Sequence, residues 1–460
     1  MYHVNFDQAV HVHFTGIGGI SMSALAEILL SKGFQVSGSD TKSSNITKNL
    51  EQAGAVIHYA QAASNITSDI DVLVYTAAIH PDNPEIVRAK ELQIPMLTRA
   101  QFLGQMMKNY NIAIGVSGTH GKTTTTSMLS EILLENESDP TILVGGMLNR
   151  IGGNLRIGHS GTMITEACEY TNSFLSFFPT LGIILNVKED HLDFFKDIND
   201  IRNSFRKYCE LIPADGSLVI NGEIDDLDFF THDLPCKVIT YGLNNHSYDY
   251  SAANITFDKQ GRGSFDLYQK EEKIGHISLN QTGEHNISNA LAAIAAARDL
   301  GISLETIQAG FTAYTGTDRR FQYKGTFQGV TVIDDYAHHP DEIAATLKAA
   351  AKYPHKKLWV VFQPHTYSRT YALFSRFADA LSKADAVVLA DIFAARETDT
   401  LGMSSKLLAQ AIRGRGTESY YFPSFEEIEN FLKKNCIDGD LLITMGAGDV
   451  VLVGEELISK

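Results

Sequence analysis

Short apolar runs recur along the chain, and each gives way to a glycine-rich or polar turn and then to apolar residues at helical spacing. Apolar runs of this length bounded by turn signals read as buried strands, and strands alternating with helices build parallel sheets. The first unit has an apolar run at 10–15, glycines at 16, 18 and 19, and a helical pattern over 21–31. Further strands are predicted at 34–37 and 72–75, and the pattern runs down in the polar stretch Lys108-Asn109-Tyr110-Asn111. A second unit opens with a strand at 112–116 and a helix to about residue 135, followed by strands at 163–165, 181–186 and 218–221. Over 237–279 polar and apolar residues alternate, which predicts antiparallel hairpins, with a turn at Gln260-Gly261-Arg262-Gly263. A helix over 286–300 comes next, its alanines at 290, 293 and 297 forming a narrow face for close packing. The third unit opens near 318, with strands at 330–333, 358–362, 386–390 and 441–444.

These breaks divide the chain into 1–109, 110–317 and 318–460, and a length of 460 residues suits three domains. Ligands of such sheets gather at the carboxyl ends of the strands, so three α/β domains sharing a cleft are expected.

Composition removes several classes. No apolar run approaches the ~20 residues that a membrane span needs, and the first ten residues are neither basic nor apolar. A cytoplasmic protein without a membrane partner is expected. A formal charge of -16 opposes long polyanions, which excludes nucleic acid but leaves room for small phosphorylated ligands in a local basic pocket. Cys168, Cys209, Cys236 and Cys436 form no close pair, so free thiols in a reducing compartment are expected. The expected state is a monomer or weak homodimer.

Gly118-Thr119-His120-Gly121-Lys122-Thr123-Thr124, between a strand and a helix, is the sharpest chemical signal. Glycines let backbone amides turn inward around phosphate oxygens, and the helix N-terminus adds positive partial charge. Lys122 suits the β- and γ-phosphates and the Thr123 hydroxyl suits Mg²⁺. The strict phosphate-loop pattern places glycine at position 116, where this chain has Val116 after Gly115, so a variant loop is expected. The bland reading is a glycine turn beside an unrelated lysine.

Two clusters follow strands of the same domain: Glu166-Ala167-Cys168-Glu169 and Asn186-Val187-Lys188-Glu189-Asp190-His191. Mg²⁺ takes oxygen ligands, which suits Glu169, while His191 is softer. Taken singly, each is as well read as a solvated loop residue. In Gly283-Glu284-His285-Asn286-Ile287-Ser288-Asn289, the residues Asn286 and Asn289 stand one helical turn apart, and helix capping by Asn286 competes with ligand contact. Gly16-Ile17-Gly18-Gly19 followed by Asp40 looks by itself like a dinucleotide fingerprint; beside a phosphate-loop domain, a sugar diphosphate on that helix end fits better.

The order of these motifs resembles the Mur ligase family, and within it the alanine-adding branch. The resemblance rests on residues 16–23 and 118–124, on Glu284-His285-Asn286 with Asn289, on Asp334-Asp335-Tyr336-Ala337-His338-His339-Pro340, and on segments 362–370 and 391–397. It covers essentially the whole chain. It implies an α/β protein of three domains: N-terminal Rossmann-like, holding the UDP-sugar; a central P-loop ATPase with a mostly parallel sheet; and C-terminal Rossmann-like, receiving the amino acid. The implied reaction joins L-alanine to the lactyl carboxylate of UDP-N-acetylmuramate through an acyl phosphate, using ATP and Mg²⁺.

Carried over by motif, Gly118, Thr119, His120, Gly121, Lys122, Thr123 and Thr124 hold the phosphates, while Thr123, Glu169 and His191 surround the metal. Asn286 and Asn289 meet the adenine, and Arg320, Asp335 and His338 lie around the cleft. Gly16, Ile17, Gly18, Gly19, Ser21 and Asp40 serve the UDP-sugar. Arg369 and Arg396 lie on the substrate side, and Lys122, His338 and Arg369 are the catalytic candidates. His338 is the expected amine base, because an unperturbed imidazole titrates near pH ~6.5; a structural role beside Pro340 is the competing reading.

Departures from the family pattern are Ser21 for a glycine, Cys168 for a carboxylate and Thr366 for an arginine. Other branches use a carbamylated lysine near the metal, for which Lys207 is the positional candidate. Two other functions fit less well: a tripeptide-recycling ligase of the same family and a non-catalytic nucleotide-sugar sensor. A redox enzyme built on the first domain leaves the phosphate loop unexplained.

Overall fold

The computed structural model describes residues 2–76, 78–192, 194–395 and 397–459. Three sheets carry the chain. The first is fully parallel, in the order Val56–His58, Gln35–Ser39, His11–Thr15, Val72–Tyr75, Met96–Thr98. Its winding reverses between His11–Thr15 and Val72–Tyr75, so the loop at Gly16–Gly19 leaves the sheet where α/β proteins hold their ligands.

The second sheet has ten strands. Six neighbours in it, Lys237–Leu243, Ser217–Asn221, Leu181–Ile184, Ile112–Ser117, Thr162–Glu166 and Thr141–Leu148, run parallel. Antiparallel pairing is confined to its two ends: Tyr250–Phe257, Arg262–Gln269 and Glu272–Thr282 at one, Gly153–Arg156 at the other. The expectation of antiparallel hairpins from residue 237 is therefore corrected for the strand Lys237–Leu243, which is parallel to both neighbours. Alternation reports that one face of a strand is covered and says nothing of pairing direction. The helix Glu284–Asp299 also differs from expectation, since residues 290–297 are all buried rather than a single small-residue face.

The third sheet runs Gln322–Phe327, Val330–Asp335, Leu441–Met445, Leu358–Phe362, Ala386–Leu389, Glu418–Tyr421, parallel except for its first strand. Short strands such as Met96–Thr98 and Glu418–Tyr421 carry too few residues to show a period. No helix among the described residues is long and apolar enough to cross a membrane. The four cysteines are free thiols, with Cys168 half-buried and the others buried.

The two junctions between the sheets differ in chemistry. Phe102, Leu103 and Met106 of the helix Arg99–Met107 belong to one continuous apolar cluster with Phe174 and Phe177 of the central unit. Gly104 lies so close that a Cβ there would sit 1.9 Å from the Ser176 carbonyl oxygen. The third unit instead meets the second through ion pairs: Arg369 with Asp190 at 3.6 Å, Lys348 with Glu284 at 3.4 Å and Arg376 with Glu189 at 3.9 Å. An apolar joint of the first kind holds; a polar joint of the second kind lets domains part.

Candidate active site

Val116 is fully buried inside the strand Ile112–Ser117, so the turn begins one residue after Ser117 and needs no glycine at 116. Gly118 and Gly121 have φ of 142° and 90°, which side chains of L-residues rarely adopt. A Cβ on Gly121 would also stand 2.5 Å from Asn289 Oδ1. Asn186 fastens the loop: its Oδ1 accepts from the His120 amide at 2.9 Å and its Nδ2 donates to the His120 carbonyl at 2.9 Å. Thr119 adds a second fastening, its hydroxyl accepting from the Lys188 amide at 2.9 Å. The helix Lys122–Glu135 starts with no side-chain cap, so its first amides face the loop as anion donors.

Lys122 Nζ reaches the Gly118 and Thr119 carbonyls at 2.5 and 3.0 Å and Glu169 Oε2 at 2.9 Å. Burial disfavours its charge, but the Glu169 carboxylate outweighs burial and raises the ammonium above its ordinary range. His191 Nε2 lies 3.9 Å from Glu169 Oε1, and its ring stacks on Tyr170 at 4.5 Å. Burial lowers its pKa, which leaves the imidazole neutral and its lone pair available. Arg320 Nη2 donates to Thr123 Oγ1 at 3.3 Å. Lys122, Glu169 and His191 thus meet at the mouth of the loop, with Thr123 next to Lys122 in the helix and bonded to Arg320. The hydroxyl and carboxylate oxygens fit a hard divalent ion, and the imidazole is a softer third donor. Lys207 is exposed on the helix Ile198–Cys209, and nothing around it marks it as a metal-site residue.

Beside the loop a cavity of about 480 Å³ opens between the second and third sheets. His120, Gly121, Thr124, Asn286, Asn289, Arg320 and Asp335 line it, so these seven residues of the expected nucleotide set meet at one place, while Gly118, Thr119, Lys122 and Thr123 are not among its lining residues. Its size suits a nucleotide-sized ligand. Gly283 caps the helix Glu284–Asp299, and Asn286 sits inside it, donating to the Thr282 carbonyl at 2.8 Å and accepting from Asn289 at 3.0 Å. Capping by Asn286 is thereby replaced by a paired-amide wall of the cavity. Asp335 accepts from the amides of Phe321 (2.7 Å) and Ala337 (2.9 Å) and from the Thr346 hydroxyl (3.0 Å). Burial nevertheless raises its pKa to about 6.

His338 Nδ1 donates to the Tyr336 carbonyl at 3.1 Å, and its ring packs on His365 at 5.9 Å. Burial takes its pKa down to about 4, so the premise of an unperturbed imidazole does not hold. Arg369 shares a small hollow of about 120 Å³ with Asp190, His191 and Ser368. Arg396 lies outside the described residues. The first loop stands apart: Asp40 Oδ2 accepts from the Gly18 amide at 2.9 Å, so it shapes the loop rather than projecting from it. Gly16 takes φ 85°, Ile17 is buried, Gly19 caps the helix Ile20–Ser31 without a side-chain bond, and Ser21 lies within that helix.

Family models match three stretches: "Mur ligase family, catalytic domain" at 11–111, "Mur ligase middle domain" at 116–297 and "Mur ligase, glutamate ligase domain" at 319–448. The chain belongs to the Mur ligase family. Among curated relatives, a protein of Lachnospira eligens is 61% identical over 458 residues and one of Agathobacter rectalis is 57% identical over 460, each pair aligned over 100% of both chains. Both are named UDP-N-acetylmuramate–L-alanine ligase. The solved UDP-N-acetylmuramate–alanine ligase of Thermotoga maritima superposes with a TM-score of 0.80 at 29% identity, over 98% of each chain. A murein peptide ligase of Psychrobacter arcticus shares the fold, with a TM-score of 0.70 at 24% identity over 98% of each chain.

In this Mur ligase several site residues escape motif reading. Glu342 joins the phosphate loop to the third sheet, its Oε1 3.1 Å from His120 Nδ1 and its Oε2 accepting from the His338 amide at 3.1 Å. Asn186, Asn221, Tyr314 and Asp341 also line the large cavity. Glu342 did carry a local signal, three residues after His339 and two after Pro340, where a capping box places an acid.

Proposed function

We propose that this chain ligates L-alanine to the lactyl carboxylate of UDP-N-acetylmuramate, consuming ATP and giving UDP-N-acetylmuramoyl-L-alanine, ADP and phosphate. The observation that carries this reading is full-length identity of 61% to a relative of that name. In it, residues 1–109 take the UDP-sugar at Gly16–Gly19, residues 110–317 take ATP, and residues 318–460 receive the amino acid.

A carboxylate is a poor electrophile, so the lactyl carboxylate is first phosphorylated and the amine then displaces phosphate. Phosphoryl transfer asks chiefly for alignment and neutralised charge. The amides at 118–124 align the phosphates, and Lys122 moves from Glu169 to the γ-phosphate. Thr123, Glu169 and His191 would hold a Mg²⁺ ion, which would supply the remaining charge neutralisation. Asn286 and Asn289 recognise the adenine, and Arg320 faces the phosphates from beside Thr123. Arg369, in its hollow next to His191, orients the carboxylate of the amino acid, and Arg396 is assigned to the same side. His338 is the proton acceptor for the amine. Its imidazole is held neutral by burial, and the negative charge of phosphate entering the cleft favours proton uptake there. Closure of the ion-paired joint over the cavity keeps water from the acyl phosphate.

The test is phosphate release from ATP with UDP-N-acetylmuramate and Mg²⁺, comparing L-alanine, glycine, L-serine and L-Ala-D-Glu-meso-diaminopimelate. Release with L-alanine far above the others is expected. Release with the tripeptide alone, or with none of the four, overturns the reading.

A further inference from the structure

We infer that His120, His339 and Asp341 form a transition-metal site of the Zn²⁺ class, separate from the cluster at Glu169, which ties the phosphate loop to the third sheet. One nitrogen from each imidazole and one carboxylate oxygen lie within 4.8 Å of one another. The two rings face each other at 5.0 Å between centroids. His339 is fully buried, and His120 Nε2 and His339 Nε2 are buried without a hydrogen-bond partner among the described residues. Two neighbouring imidazoles, each with a buried nitrogen left unsatisfied, are costly unless a ligand satisfies them.

The surroundings resemble those of a built metal site. Glu342 Oε1 stands 3.1 Å from His120 Nδ1 and fixes the tautomer that leaves Nε2 as a lone pair, the outer-shell arrangement of metal-bound histidines. The buried carboxylate of Asp190 acts on His339 as a further negative neighbour. Two imidazoles and a carboxylate with a fourth position left to water suit Zn²⁺ and its neighbours among transition ions, whereas Mg²⁺ prefers an all-oxygen shell. Two features oppose the ion and set its affinity. Arg376 Nη2 donates to Asp341 Oδ1 at 2.9 Å, and His339 Nδ1 accepts a long bond of 3.3 Å from the Asp341 amide that ligation at Nε2 must release. His120 belongs to the second unit and the other two ligands to the third, so an ion here pins the joint that otherwise opens.

The test uses the full chain with excess Mg²⁺, titrated with Co²⁺ for its four-coordinate absorption bands and with Zn²⁺ against a chromophoric chelator. One equivalent of Zn²⁺ that displaces Co²⁺ and raises the melting temperature is expected. Asp341→Asn and His339→Gln should weaken Zn²⁺ binding on the order of 100-fold, and Glu342→Gln roughly 10-fold. Arg376→Ala should tighten it several-fold, a gain that misfolding cannot produce. Absence of a Zn²⁺ equivalent overturns the inference. So does binding that survives Asp341→Asn but is lost in His191→Gln, which puts the ion in the cluster at Glu169, or in Cys168→Ser, which puts it on the thiol.

Discussion

Asn186→Ala tests whether the phosphate loop is preformed by its side-chain fastening. The side chain makes two hydrogen bonds of 2.9 Å to the amide and carbonyl of His120, in the middle of the loop. A typical net contribution is about 1 kcal/mol for each, so the truncated loop loses about 2 kcal/mol of order, which nucleotide binding must then restore. At about 1.4 kcal/mol per decade this weakens nucleotide affinity roughly 30-fold. The backbone bond from the Thr119 amide to the Asn186 carbonyl at 3.1 Å survives, so the loop loosens without the sheet unravelling. Asn186→Asp sharpens the test. It keeps the acceptor for the His120 amide but sets a carboxylate oxygen against the His120 carbonyl, so it should bind nucleotide no better than the alanine variant. Calorimetric titration with a non-hydrolysable ATP analogue and Mg²⁺ measures the affinity, and a thermal scan should show a far smaller effect on global stability. Parental affinity in both variants would refute the reasoning.

Gly121→Ala combines positive φ with a Cβ 2.5 Å from Asn289 Oδ1, so nucleotide affinity should fall by about tenfold or more, read by the same titration. Lys122→Ala should abolish phosphate release while UDP-sugar binding persists; loss of sugar binding in a folded variant would show that the domains divide the substrates otherwise. Glu169 is almost fully buried against Lys122, so the same variant should also unfold at lower temperature, and Glu169→Gln added to it should restore part of the loss. Asp335 is raised by burial from 3.8 to about 6, so between those values the native state holds a proton that the unfolded chain releases, and stability falls as pH rises. The nucleotide-free Asp335→Asn chain should therefore gain on the parent by up to about 3 kcal/mol in melting experiments stepped from pH ~4 to ~6, and a constant difference would refute the shift. Gly104→Ala forces a methyl onto the Ser176 carbonyl at 1.9 Å, and overpacking of about 1–3 kcal/mol should appear as a lower melting temperature.

Most of the fold was legible because buried parallel strands write themselves as short apolar runs. The strands at 72–75, 112–117, 358–362 and 441–445 stand where the pattern puts them, to within a residue. What stayed hidden had a physical reason. The segment 237–243 alternates because one face meets the helix Glu284–Asp299 while the other is partly open, and that exposure pattern is common to parallel and antiparallel pairing. The helix Glu284–Asp299 showed three alanines at a helical interval, but six of its eight residues from 290 to 297 are alanine, and a helix so smooth is buried on every side.

The site was legible where one segment carries the whole requirement. The loop at 118–124 needs glycines for its turn and a lysine at its helix start, and both needs are met within seven residues. Val116 looked like a defect only while strand and loop could not be told apart. Asn186 and Glu342 belong to no such segment. Each matters because of what the sheets bring to it, an exposed peptide of His120 in one case and an imidazole from another domain in the other. His338 shows the converse: its residue type promised a base near neutrality, and burial, which no local pattern reports, moved it to about 4. The same distinction separates the two joints. Opening the apolar joint at Phe102, Phe174 and Phe177 would return buried apolar surface to water, so that joint resists parting. The half-exposed ion pair at 189–376 exchanges readily with water, so this polar joint opens at less cost than the apolar one. Of the two joints the polar one is therefore the easier to open, and Glu342, bonded to His120 across the cleft, is the contact that opening would break.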